Sequence, residues 1–144
     1  MKSIITILFL FTGYLVCAQP KMKDLSVIQN KTGFTKGRTK DVREVFLGKY
    51  SSWPLTREQT IIVLPSSKSA SAASVSFVIY NGGVKQMQKY WLSLVFQGRA
   101  NPPVFLDSDE EVLQYVIKTP GAIGLISKSS KLIIDEKYQF LLVD

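Results

Sequence analysis

Residues 60–71 read Thr-Ile-Ile-Val-Leu-Pro-Ser-Ser-Lys-Ser-Ala-Ser. Thr60 to Leu64 is an unbroken apolar run closed by Pro65. A run of that length with no polar alternation predicts a strand covered on both faces, the habit of parallel sheets with helices on each side. Behind it, Ser66, Ser67, Lys68 and Ser69 form a polar turn. A helix is expected to start near Ser69 and to bury Ala70, Ala73, Phe77 and Val78, until Asn81-Gly82-Gly83 breaks it.

Reading outward, the same alternation recurs. Leu25 to Gln29 suits a short strand and Thr32 to Gly37 a loop. Val42, Val45 and Phe46 then fall at i, i+3 and i+4, on one face of a helix that Gly48 can close. Val84, Met87, Trp91, Leu94 and Val95 mark a second amphipathic helix ending near Gly98. After the loop Asn101-Pro102-Pro103, Ser108 and Glu111 have capping-box spacing ahead of Val112, Leu113, Val116 and Ile117. Ala122–Ile126, Lys131–Ile134 and Tyr138–Val143 read as further strands. Strands alternating with helices predict an α/β fold: a mostly parallel sheet covered by helices, with room for an antiparallel pair at the C-terminal end. Trp53, Trp91, Phe46 and Phe77 are expected in the core.

The N-terminus addresses the compartment. Lys2 precedes an apolar stretch, Ile4 to Val16, and then small residues, the pattern of a secretory signal peptide cleaved after Ala18. Residues 1–18 are thus the expected signal and 19–144 the single domain. The stretch is short for a membrane span of about 20 residues. A lipoprotein would instead keep Cys17 as its acylated residue, but Val16 stands where Gly, Ala or Ser is favoured. Lys2 is the only charged residue ahead of Gln19, so the remainder keeps all but one of the 18 basic residues against 11 acidic ones and is basic. The sequence has no histidine, and its one cysteine lies in the signal. That leaves no imidazole base, no Ser-His-Asp or Cys-His nucleophile, and no His/Cys metal cluster. The expectation is a binding protein without cofactor, not an enzyme; no nucleic-acid motif accompanies the charge.

Two segments carry a resemblance. Residues 26–54, SVIQNKTGFTKGRTKDVREVFLGKYSSWP, place a strand ending in Asn before a helix that closes in Phe-x-Gly and is followed by Trp. Residues 90–126, YWLSLVFQGRANPPVFLDSDEEVLQYVIKTPGAIGLI, carry a Trp-containing helix, an acidic helix start and the motif Thr-Pro-Gly-Ala-Ile-Gly. Over residues 26–127 the chain resembles, in order, the phosphate-binding proteins of ABC transporters, and specifically one lobe of their two-lobed clamp. The resemblance implies a periplasmic-binding-protein-like lobe in the periplasm or secreted, with phosphate or another small oxyanion as ligand. The family's Arg-x-x-x-Ser-Gly-Thr-like segment corresponds to Pro65–Ser71, with Ser69 and Ser71 on the Ser and Thr positions and Pro65 where Arg is expected.

Ser66, Ser67, Lys68, Ser69 and Ser71 are accordingly the candidate oxyanion ligands. A helix N-terminus with unpartnered N–H groups, serine hydroxyls and one ammonium attracts negative charge. Lys68 supplies a point charge rather than the fork an arginine would offer. Serines before a helix also serve as plain N-caps. Asp109, Glu110 and Glu111 suit the positive end of a helix dipole and are not catalytic candidates. Arg99 reads as a solvated surface cation. The alternative function is a protein-interaction module of an envelope complex, which kept the fold and lost the ligand.

Overall fold

The computed structural model describes residues 18–144, so the expected signal segment lies outside it apart from Ala18. Among the described residues six strands form one mixed sheet: β1 (Leu25–Gln29), β2 (Lys36–Gly37), β3 (Ile61–Pro65), β4 (Val104–Leu106), β5 (Ala122–Ser127) and β6 (Gln139–Leu142). Their spatial order is β2-β6-β1-β5-β3-β4. β3 pairs in parallel with both β4 and β5, and β2 with β6. β1 runs antiparallel between β5 and β6. The parallel block expected from residues 60–64 is therefore β4-β3-β5, and β1 is the strand that reverses direction.

Alternation along the central strands sends side chains to two cores. Leu25, Val27, Ile62, Leu64, Ile123 and Leu125 face α1 (Thr39–Phe46), α2 (Ala72–Tyr80) and α3 (Val84–Phe96). Ile28, Val63, Ala122 and Ile126 face α4 (Asp109–Lys118) through Val112, Leu113 and Val116. Gly124 leaves room for α4: a Cβ there would lie 2.9 Å from Val112 Cγ1.

Several expectations are corrected. α2 begins at Ala72, three residues after Ser69, because Ser66 to Ser71 make two tight turns first. The shift rotates the helix, burying Ala72, Val75, Ser76, Val78 and Ile79 and leaving Ala73 and Phe77 outward, with Phe77 37% exposed. Lys131–Ile134 pairs with no strand among the described residues. Leu132 and Ile134 instead pack against the α4-side core, while Ile133 is 95% exposed. β2 and β4 lie where a loop or no element was expected, and both are very short strands at the two edges of the sheet. Trp53, Trp91 and Phe46 are core residues. No helix among the described residues is long and apolar enough to cross a membrane.

Candidate strand-end site

β3, β4 and β5 run the same way, so their carboxyl ends open on one edge of the sheet, the place where α/β folds collect ligand-binding loops. The loops there are Ser66–Ser71 after β3, Asp107–Ser108 after β4 and Lys128–Ser130 after β5. Ser66 N–H donates to Leu106 O at 2.7 Å, extending the β3–β4 pairing one residue into the loop.

The hydroxyls form two small networks, each ending on a carboxylate. Ser66 Oγ donates to Asp107 Oδ1 at 2.5 Å and accepts from Lys68 N at 3.2 Å. Lys68 Nζ lies 3.9 Å from Asp107 Oδ2, with both side chains mostly in water, so this pair contributes little to stability. Deeper in, Ser71 Oγ donates to Asp109 Oδ1 at 2.6 Å, and Asp109 Oδ2 accepts Ser127 N–H at 3.0 Å. A carboxylate only accepts, so the Ser71 proton points to Asp109 and Ser69 Oγ supplies the proton of the 3.1 Å Ser69–Ser71 contact. Ser69, Ser71 and Asp109 are all buried.

The five sequence candidates thus share one edge but divide by depth. Ser67 and Lys68 are exposed, Ser66 is half-buried, and Ser69 and Ser71 are buried and bonded inward. The N-cap reading is corrected as well: the Ser71 side chain caps no backbone N–H of α2 and serves Asp109. Asp109 joins the starts of α2 and α4 to the end of β5, a tertiary role that the helix-dipole reading missed. Sequence reasoning also passed over Asp107 and Ser127–Ser130, whose one available signal was a hydroxyl-rich stretch directly after a buried strand. Beside the loop, an open groove of about 720 Å³ runs from Ala73, Ser74 and Phe77 to Ser127, Lys128 and Ser129, with Lys23 also lining it. Among the described residues no group of acidic, histidine or cysteine side chains could hold a metal ion.

No protein-family model matches the sequence, and no curated protein does. Solved structures do match its shape. PstS from Borrelia burgdorferi aligns over 83% of this chain at 16% identity with a TM-score of 0.57. An ABC-type phosphate transport receptor from Vibrio cholerae aligns over 81% at 12% identity and a TM-score of 0.51. A phosphate ABC transporter substrate-binding protein from Clostridium perfringens, solved with bound phosphate, aligns over 82% at 14% and 0.51. The alignments take in only 47%, 45% and 44% of those proteins, so the chain matches less than half the length of each. The chain has the fold of a single lobe of the phosphate-binding proteins of ABC transporters.

Proposed function

We propose that the protein is a secreted or periplasmic binding protein that holds an oxyanion weakly at its strand-end edge, with inorganic phosphate as the preferred ligand. The observation that carries this reading is the convergence of Ser66, Ser67 and Lys68 with Lys128 and the start of α2 at the carboxyl ends of three parallel strands. Ser69 and Ser71 set the loop's shape from below through Asp109. With one lobe the ligand keeps a face in water, where charge interactions are screened, and no arginine fork is present. Weak binding follows.

Asp107 makes the choice of phosphate specific. It is half-exposed and can only accept hydrogen bonds. Inorganic phosphate retains a proton at neutral pH and can donate it to Asp107; sulfate has none and meets only repulsion. Calorimetry of the purified protein should detect phosphate in the millimolar range and sulfate more weakly. Lys68→Ala combined with Ser69→Ala should lower phosphate affinity by about tenfold or more. Unchanged affinity in the double variant would place the ligand elsewhere. The same reading has the chain processed to Gln19; an intact mass from envelope extract carrying an acylated Cys17 would overturn that part.

One observation favours a second reading. The hydroxyls of Ser66, Ser69 and Ser71 are already satisfied by Asp107 and Asp109 without any ligand. A lobe so self-sufficient suits an interaction module of an envelope complex. No heat with phosphate, together with a single partner co-purifying from envelope extract, is the result that selects it.

A further inference from the structure

At the opposite end of the sheet, where β3 and β4 begin, lies a second polar pocket of about 160 Å³. Its floor is Thr60, the residue ahead of β3, which is only 7% exposed. The Thr60 backbone N–H is bonded to Ser51 O at 3.0 Å, but the side-chain Oγ1 is buried with no hydrogen-bond partner among the described residues. Leaving a buried hydroxyl unpaired costs free energy, so the group calls for a partner the fold does not itself provide.

The rest of the lining states what that partner is. Lys49, Arg99, Ser51 and Asn101 line the pocket with Thr60, no carboxylate among the described residues does, and Ile62 and Trp91 form an apolar wall. Lys49 is engaged with Glu44 at 2.9 Å, whereas among the described residues the one bond of the Arg99 guanidinium is a long 3.5 Å contact to the neutral Gln97 amide. The pocket also sits at the carboxyl ends of α1 and α3, where the helix dipoles carry partial negative charge. One unengaged fork against that background suits a single negative charge better than a dianion, and a planar carboxylate matches the guanidinium in bidentate fashion. The apolar wall leaves space for a short carbon body. Burial pushes the nearby Tyr90 hydroxyl up from its ordinary value, and the charges of Arg99 and Lys49 both act against that push.

We infer that this pocket binds the carboxylate of a small organic acid, with Arg99 pairing to the carboxylate and Thr60 turning its buried hydroxyl into the pocket to donate to it. The site is separate from the strand-end edge and stands whether or not phosphate binds there. The test is a titration of the purified protein with propionate at constant ionic strength, followed by backbone NMR, with chloride and inorganic phosphate as parallel titrants. Saturable shifts at Ser51, Thr60, Ala100 and Asn101 are expected with propionate. Arg99→Gln and Thr60→Val should each raise the midpoint about tenfold or more, and Lys68→Ala should leave it unchanged. Thr60→Val removes an unpartnered hydroxyl, so the variant should be at least as stable as the parent and its lost affinity is not unfolding. Shifts that stay linear and equal to those of chloride would mean that water alone fills the pocket, and the inference fails. It fails equally if phosphate saturates these amides more tightly than propionate, or if neither variant changes the midpoint.

Discussion

Trp91 ties three helices together with two hydrogen bonds. Its Nε1 donates to Tyr80 Oη at 2.7 Å, and Tyr80 in turn donates to Phe46 O at 2.8 Å, so α3 is linked through α2 to the last residue of α1. The indole is 2% exposed. Trp91→Ala should therefore lose about 3 to 5 kcal/mol in chemical denaturation, the usual range for a buried aromatic. Phe77→Ala should cost less than about 1.5 kcal/mol, because its ring already faces the groove. Equal losses for the two would contradict the helix rotation described above. Tyr80 also predicts a pH effect. Burial pushes its hydroxyl well above the ordinary phenol value of 10, with the Trp91 hydrogen bond acting in the opposite direction. A group whose folded pKa is raised contributes fully below its unfolded pKa and loses that contribution as pH climbs above it. Stability should be flat on this account up to about pH 10 and fall beyond it, and Tyr80→Phe should lessen the fall. An alkaline decline as steep in Tyr80→Phe as in the parent would assign the effect to other groups.

At the scale of elements, the segment Thr119–Gly124 shows why a motif can be legible before its purpose is. Gly121 has φ +84°, and a Cβ there would collide with the Gln59 backbone oxygen. Its carbonyl accepts the Trp53 indole N–H at 2.8 Å, and its N–H donates to Asn30 O at 2.7 Å. Gly124 lets α4 sit directly on the sheet. Both glycines serve packing, Gly121 at the end of the sheet remote from the strand-end site and Gly124 midway along the strands, so the motif that best reports the fold says nothing about a ligand. Gly124→Ala should cost about 1 to 3 kcal/mol by overpacking Val112 and Val116; thermal melts that match the parent would show that α4 can shift without strain. The buried strands β3 and β5 and helices α1, α3 and α4 were readable because their apolar periods are set by solvent exclusion, which acts locally on the pattern. The start of α2 was not, since serines suit a turn, a cap or a side-chain network equally well. The choice fell to Asp109, 38 residues from Ser71 in the chain. Edge strands of two or three residues have too few side chains for any period to show.

For the whole molecule, the strand-end proposal asks a single lobe to provide both the rigidity and the contacts of a binding site. A ligand that binds the folded state at ten times its dissociation constant stabilises by about 1.4 kcal/mol, which moves the melting temperature of a domain this size by roughly 3 to 6 °C. Phosphate and sulfate also stabilise proteins without any site, by exclusion from the surface, and a melting shift with phosphate alone would prove nothing. The difference between the two salts at equal concentration and ionic strength removes that common part. The strand-end proposal requires phosphate to shift the melt further than sulfate, because only phosphate brings a proton to Asp107. Asp107→Asn exchanges an acceptor-only carboxylate for a neutral amide that also donates, and it releases Ser66 and Lys68 from their carboxylate partner. Sulfate should gain from this change and phosphate should not, so the difference should shrink or reverse while both shifts remain. If the parent shows the same shift with both salts, the edge does not select a protonated oxyanion. If the difference is present but survives in Asp107→Asn, the selecting acceptor is another group and the geometry assigned to Asp107 is wrong.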